Sequence, residues 1–114
     1  MSKRRIERGV AGAAIVFAAL GDETRLSLLQ RLAQGGPASI TTLAADFDLT
    51  RQGVTKHLQV LASAGVIDGQ RSGREHVWAM NPGRLAQAMR HIETIARGWD
   101  TALARLKAQV EAGA

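Results

Sequence analysis

The sequence predicts a mainly α-helical domain with one small β-hairpin, in the order of four helices, two strands and a long last helix. Two patterns predict this fold class. Apolar residues recur three and four positions apart through most of the chain, which is the spacing of one helix face. Two short extended runs, at 66–71 and 75–80, flank a Ser-Gly turn and predict the hairpin. At 114 residues, the chain has the length of a single domain spanning 1–114.

The first two helices are delimited by glycine. The first is predicted to cover residues 1–20 and to end at Gly21. Its apolar stripe consists of Ile6, Val10, Ala13, Phe17 and Leu20. Asp22 is a suitable N-cap for the second helix, whose apolar face carries Leu28, Leu29 and Leu32. The Gly-Gly-Pro sequence at 35–37 ends this helix, because proline lacks the amide proton that continues the helical hydrogen bonds.

The next two helices are short and lie close together in sequence. The third begins after Ser39, and only the residues Asp-Leu-Thr at 48–50 separate it from the fourth. Thr50 is a good N-cap for the fourth helix, and Gly65 stands where a C-terminal glycine belongs. The apolar face of this helix carries Val54, Leu58 and Leu61. Its first turn is polar and its last turn is apolar, which predicts that only the N-terminal end is exposed.

Two helices joined by a tight turn and followed by a hairpin indicate a winged helix-turn-helix. In that arrangement the first turn of the second helix enters the DNA major groove while the remainder packs against the domain. Arg51 and Gln52 can hydrogen-bond guanine or adenine in a bidentate way, whereas Thr55 and Lys56 more often bind phosphate. Taken alone, these residues also suit a merely solvated helix face. For His57, a phosphate contact competes with a hydrogen bond that ties the helix to the domain.

The final segment is the most regular in the chain. Asn81 and Pro82 form an N-cap and first-turn pair, and apolar residues then repeat in four-three alternation as far as Val110. A helix from about 82 to 111 is roughly 45 Å long, more than a domain of this size covers. We therefore expect the helices of 1–20 and 81–112 to pair across a two-fold axis in a homodimer. The expected interface residues are Ile6, Val10, Phe17, Leu85, Met89, Ile92, Trp99, Leu103 and Leu106. The alternative is that the stripe packs onto its own domain.

Composition narrows the function. A formal net charge of +5 favours polyanionic partners, nucleic acid first. The absence of cysteine excludes disulfides and thiolate metal sites, and His91 has no second metal ligand within four residues on its helix face. We expect no cofactor, no metal and, without a phosphate-binding loop or nucleophile motif, no enzyme. No apolar run approaches the roughly 18 residues of a membrane span, and the N-terminus lacks a signal-peptide pattern, which predicts a cytoplasmic protein without a membrane partner.

Three segments, FAALGDETRLSLLQRL, LAADFDLTRQGVTKHLQVLASAGVI and SGREHVWAM, resemble the arsenical-resistance-repressor (ArsR) family of bacterial winged-helix transcription regulators. The resemblance covers about residues 15–80. It implies a dimeric repressor that binds a palindromic operator in double-stranded DNA through the helix of 50–64 and the wing of 66–80. Carried over to this chain, the DNA-binding residues are Thr50, Arg51, Gln52, Thr55, Lys56, His57, Arg71 and Arg74.

The chain departs from the family where many members bind metal, because its third helix, ITTLAADF, contains no cysteine. Cysteine-free relatives include regulators released by small molecules and others with no known effector, so the resemblance leaves open whether a small-molecule effector exists. The alternative function is a helical homodimeric module that binds protein without specific DNA recognition. Salt distinguishes the two, because DNA affinity falls steeply with salt concentration while a largely apolar interface hardly responds.

Overall fold

The computed structural model describes the backbone of residues 3–113 and the side chains of that range other than 5–7. The elements are α1 (Lys3–Leu20), α2 (Glu23–Gly35), β1 (Ala38–Ser39), α3 (Ile40–Asp46), α4 (Arg51–Ser63), β2 (Ile67–Ser72), β3 (Glu75–Met80) and α5 (Pro82–Gly113). The predicted fold class and order of four helices, a hairpin and a long last helix are confirmed. The short strand β1 is an addition to that order.

A single apolar core holds the four helices α1, α2, α3 and α4 against the small sheet. Its largest side chains of under 2% exposure are Val16, Leu28, Leu43, Val54, Leu58, Leu61, Val66 and Ile67. The predicted apolar faces of α2 and α4 supply six of the core residues, and all six are buried. Phe47 and Leu49, on either side of the turn between α3 and α4, pack against the same core. The turn therefore holds α3 and α4 in a fixed relation.

Helix ends lie where their capping residues predict them. The hydroxyl of Thr50 accepts a hydrogen bond of 2.9 Å from the Gly53 amide at the start of α4. At the start of α5, Oδ1 of Asn81 accepts from the Gly83 amide at 3.0 Å. Gly36 follows α2 with a φ of 78°, a conformation that glycine adopts without steric cost.

The hairpin turn lies one residue later than predicted. Ser72 pairs with Glu75 in the ladder, so Gly73 and Arg74 form the two-residue loop instead of Ser72 and Gly73. Gly73 has a φ of 64°, as the first loop residue of a type II′ turn requires. Serine is common in turns, and its sequence position alone did not reveal that the ladder continues through it.

The hairpin belongs to a three-stranded antiparallel sheet of order β1-β3-β2. Strand β1 pairs with β3, with Ala38 opposite Trp78 and Ser39 opposite Val77. This pairing fastens the base of the hairpin to the segment between α2 and α3. A strand of two residues has no periodicity of its own, which is why the sequence did not indicate it.

The predicted stripe of α1 is divided in the structure. The buried residues of α1 are Ala13, Val16 and Ala19. Phe17 and Leu20 lie at the edge of the protomer's own core, whereas Val10 is 52% exposed. The side chain of Ile6 lies outside the described residues. The division arises because α2, α4 and α5 cover one side of α1 and leave its other side open.

Helix α5 projects beyond the rest of the molecule. It comprises 32 residues, runs through Gly98 as one helix, and buries only Ala88. All side chains of residues 92–113 are exposed. The radius of gyration is 19.2 Å, against about 13 Å for a compact domain of this length. Most of the apolar stripe of α5 therefore has no cover from the described residues of its own chain.

Candidate nucleic-acid interface

Helix α4 is divided between a buried and an exposed surface. Its residues Val54, Leu58 and Leu61 have 0% exposure, because they point into the core between α2 and α3. Arg51 and Gln52, in the first turn, are exposed. Three fully buried anchors fix the rotation of the helix about its axis, so its polar first turn is held outward.

Arg51 is oriented by a contact from the neighbouring helix. Its Nη1 donates a hydrogen bond of 3.0 Å to Oγ1 of Thr41, an exposed residue in the first turn of α3. This bond places the guanidinium beside the start of α3. The sequence did not indicate a role for Thr41, because it is one of two adjacent threonines and belongs to no motif.

The hydroxyls of the first turn are used inside the helix. Thr50 caps α4, and Oγ1 of Thr55 donates to the carbonyl of Arg51 at 2.6 Å. The side chain of Gln52, by contrast, makes no hydrogen bond to another residue in the described part of the chain. Its amide remains able to donate and to accept, which is what bidentate recognition of adenine requires.

The two remaining α4 residues differ in their surroundings. Lys56 is exposed and lines a groove between α1 and α4 together with Ile15 and Val60. His57 turns toward the start of α2, where its Nδ1 lies 3.9 Å from Oδ2 of Asp22. Of the two roles left open for His57, this contact favours the one that ties the helix to the domain.

Asp22 links three helices behind the exposed surface. Its carboxylate accepts from the Arg25 amide at 3.0 Å and so caps α2, while Nε of Arg25 donates to the Ala19 carbonyl at the end of α1. The hydrogen bond from the Arg25 amide, followed by the charges of Arg25 and His57, lowers the pKa of Asp22 from its usual 3.8. The carboxylate is therefore ionised at neutral pH.

The wing carries its cations near the tip. Arg71 lies opposite His76 near the end of the ladder, and Arg74 occupies the turn; all three are exposed. Toward the base, the ring of His76 stacks on Trp78 with 4.5 Å between centroids, and Trp78 is 7% exposed. Trp78 thus packs into the core, and Gly69 provides the space, because a Cβ there would lie 2.9 Å from the indole.

The described residues place the predicted DNA-binding side chains on two connected elements. Strand β2 of the wing packs against α4, so the exposed cations of the wing and of the α4 first turn belong to one rigid unit. The described side chains, those of residues 3–4 and 8–113, include no group of three or more His, Asp or Glu arranged to hold a metal ion. No helix in this range is long and apolar enough to cross a membrane.

Known proteins share this arrangement. The family described as a helix-turn-helix domain matches residues 20–70. The chain is 34% identical over 85 residues to the HTH-type transcriptional regulator Rv2034 of Mycobacterium tuberculosis, covering 75% of this chain and 76% of that protein.

Two solved structures are similar. The ArsR-like transcriptional regulator from Rhodococcus sp. RHA1 superimposes with a TM-score of 0.75 at 36% identity, covering 86% of this chain and 92% of that one. The homodimeric winged helix-turn-helix DNA-binding domain of Mb0332 from Mycobacterium bovis has the same fold, with a TM-score of 0.67 at 24% identity over 85% of this chain and 88% of that one.

Proposed function

The chain belongs to the ArsR-type family of winged helix-turn-helix transcriptional regulators, and we propose that it is a dimeric, sequence-specific repressor that binds a palindromic operator. It acts in this proposal as a transcriptional regulator, as its HTH-type relatives do, and not as an enzyme. The observation that carries the proposal is the division of α4 into three anchors of 0% exposure and an exposed first turn.

DNA recognition rests on the chemistry of that first turn. Arg51 and Gln52 combine a rigid fork of donors with an amide that donates and accepts, which are the two side chains best suited to guanine and adenine edges. Lys56 and the wing residues Arg71 and Arg74 are exposed cations, suited to the phosphate backbone. His57 and Thr50 act from behind, by holding α4 to α2 and by capping its start.

Dimerisation rests on the uncovered stripe of α5. Its members Met89, Ile92, Trp99, Leu103, Leu106 and Val110 are between 42% and 65% exposed. A long amphipathic helix draws most of its stability from packing of its apolar face, which this chain alone does not provide. A second copy supplies a matching stripe of the same length, and the similar domain of Mb0332 is a homodimer. Val10 of α1, which is 52% exposed, extends the same surface.

A two-fold dimer determines the form of the operator. Two identical recognition helices about 34 Å apart enter successive major grooves on one side of the duplex, so each half-site is read in opposite orientation. The resulting target is a palindrome. A dimer bound across a promoter occupies the surface that the transcription machinery needs, and repression follows from that occupancy.

Selection of bound fragments from a random DNA library tests the proposal. We expect enrichment of a palindrome with half-site centres 10–10.5 base pairs apart or a multiple of that, and an affinity that falls linearly in log–log scale with salt. Recovery of an unenriched library, together with protein binding that ignores salt, would instead establish the alternative of a helical protein-interaction module.

A further inference from the structure

A cationic cleft separates the first half of α1 from the first turns of α5. It has a volume of about 520 Å³, and its lining includes the arginines Arg8, Arg84 and Arg90 together with His91. None of the described residues that line it is acidic. The cleft lies apart from the first turn of α4 and from the wing, so the DNA-binding residues proposed above do not account for it.

Small residues keep the cleft open. Gly9, Gly12 and Ala13 of α1 face Ala88 of α5 across it. The imidazole of His91 occupies the space that Gly9 leaves, since a Cβ on Gly9 would lie 3.1 Å from Cε1 of that ring. A larger side chain at these positions of α1 would fill the gap and push α1 away from α5.

The arginines of the cleft have no counter-ion within the described part of the chain. By contrast, Arg31 pairs with Asp46 at 3.2 Å, and Arg25 donates to the Ala19 carbonyl at the end of α1. The guanidinium groups of Arg8, Arg84 and Arg90 make neither an ion pair nor a hydrogen bond with any described residue. Three like charges around one cavity repel each other, and an anion bound between them offsets that repulsion.

We propose that this cleft binds a small organic phosphate as an effector. Several guanidinium groups around one cavity can each donate to a different oxygen of a phosphomonoester dianion, whereas a single carboxylate offers only two oxygens. A volume of about 520 Å³ exceeds that of phosphate alone and lies within the usual range of ligand pockets. The apolar side chains of Ala13, Val16 and Ala88 suit a compact carbon skeleton attached to the phosphate.

Arg84 connects the cleft to the recognition helix. A Cβ on Gly65, the residue that follows the C-cap of α4, would lie 2.9 Å from Cγ and 3.2 Å from Nε of Arg84. The side chain of Arg84 therefore rests on the end of α4 while lining the cleft. A phosphate that recruits its guanidinium changes the packing at Gly65, and so biases the position of α4 on DNA; this coupling rests on the proposed function, whereas the binding itself does not.

Calorimetric titration of the full chain tests the site. The ligands are glycerol 3-phosphate, inorganic phosphate and succinate, each at the same ionic strength in a phosphate-free buffer. The double variant Arg8→Gln/Arg90→Gln is compared with Arg97→Gln/Arg105→Gln, which removes the same charge from α5 outside the cleft. We expect glycerol 3-phosphate to bind more tightly than the other two ligands. The cleft variant should lose affinity by about tenfold or more, and the control should lose less than twofold.

Each other outcome overturns the assignment. If succinate binds more tightly than glycerol 3-phosphate, the ligand of the cleft is not a phosphate. If the two double variants lose the same affinity, the effect comes from net charge alone. If the wild type binds no phosphate and the cleft variant becomes monomeric in sedimentation, the arginines pair instead with a second copy of the chain. If the cleft variant lowers affinity for random DNA as much as Arg51→Ala does, the cleft belongs to the DNA surface.

Binding to DNA separates this inference from the proposed function. Saturating glycerol 3-phosphate should change operator affinity by about fivefold or more in the wild type and leave the cleft variant unaffected. If the protein binds glycerol 3-phosphate but no operator can be selected, the phosphate site stands and only the proposed regulatory function is refuted. If an operator is selected but glycerol 3-phosphate does not bind, only the phosphate site is refuted.

Discussion

Arg51 and Thr41 join the first turns of α4 and α3 through a hydrogen bond of 3.0 Å between Nη1 and Oγ1. Arg51 is thereby held in one orientation before DNA arrives, which reduces the conformational entropy that binding removes. The same bond occupies only one of the five donors of the guanidinium, so the others remain for a base edge or a phosphate.

Replacement of Arg51 by alanine tests base recognition. We expect a loss of about 1–3 kcal/mol on the selected operator and a relaxed preference at one base position, because a bidentate contact is removed. Thr41→Val should produce a smaller loss, since it frees the side chain without deleting it. Gln59→Ala, exposed farther along α4, serves as the control. Fluorescence anisotropy on operator and scrambled duplexes measures the effect, and equal losses on both would identify Arg51 as a backbone contact.

A charge on the α5 stripe tests the dimer. Leu103 is 44% exposed in the single chain, and Leu103→Glu should yield monomers that lose operator affinity, because a buried unpaired carboxylate disfavours the interface. Thr101→Glu places the same charge on the opposite face of the helix and should remain dimeric. Sedimentation velocity and anisotropy together provide the measurement. A monomeric Leu103→Glu protein that keeps full affinity would contradict the proposed arrangement.

The two tryptophans report separately on core and interface. Trp78 is 7% exposed, whereas Trp99 is 64% exposed and lies on the α5 stripe. In a Trp78→Phe protein, Trp99 is the remaining fluorophore. We expect its emission to shift to the red on dilution as the dimer dissociates, with a midpoint equal to the dissociation constant from sedimentation. An emission maximum that is typical of exposed indole at every concentration would place Trp99 outside the interface.

Two threonines of one helix should differ in their effect on stability. The Thr50 hydroxyl caps α4, and Thr50→Ala should lower the free energy of unfolding by about 1 kcal/mol. The Thr55 hydroxyl only donates to the Arg51 carbonyl of its own helix, and Thr55→Ala should stay within about 0.5 kcal/mol of the wild type. Urea denaturation measures both. A similar cost for the two variants would show that the cap contributes nothing beyond an ordinary surface hydroxyl.

Asp22 predicts a pH dependence of stability. Its pKa is lowered in the folded state from the usual 3.8, so its ionisation stabilises the fold above that value and the contribution is lost as pH falls through the folded pKa. Asn is an equally good N-cap without the charge. Asp22→Asn should therefore be less stable than the wild type at pH 7, and the difference should shrink below about pH 4.

A second variant assigns the cause of that pH dependence. His57→Gln removes the imidazole whose Nδ1 lies 3.9 Å from the Asp22 carboxylate but leaves the capping hydrogen bond in place. At pH 6, Asp22→Asn should then lower the free energy of unfolding by less in the His57→Gln protein than in the protein that retains His57. Denaturation curves at pH 3, 6 and 7 provide the comparison, and a difference that is constant across this range would exclude the ionic contribution.

Much of the fold could be predicted from local patterns. The bounds of α2 and α4 follow from capping residues such as Asp22 and Thr50, and their buried faces follow from the helical repeat. The predicted DNA-binding residues of α4 and the wing remain predictions, although the exposure of Arg51, Gln52 and Arg74 agrees with them. The role of His57 needed the structure, because its contact with Asp22 joins two helices that are distant in sequence.

The sequence by itself determined the helices, their caps, the polar first turn of α4 and the apolar stripe of α5, because each depends on residues within a few positions of one another. The tertiary structure decided the pairing of β1 with β3, the division of α1 between core and open surface, and the positions of Thr41 and Arg84 against α4 and its end. It also decided that α1 and α5 enclose a cleft lined by three arginines whose guanidinium groups pair with no described residue. These features depend on which faces of separate elements meet, and that is set by packing of the whole core rather than by any local pattern.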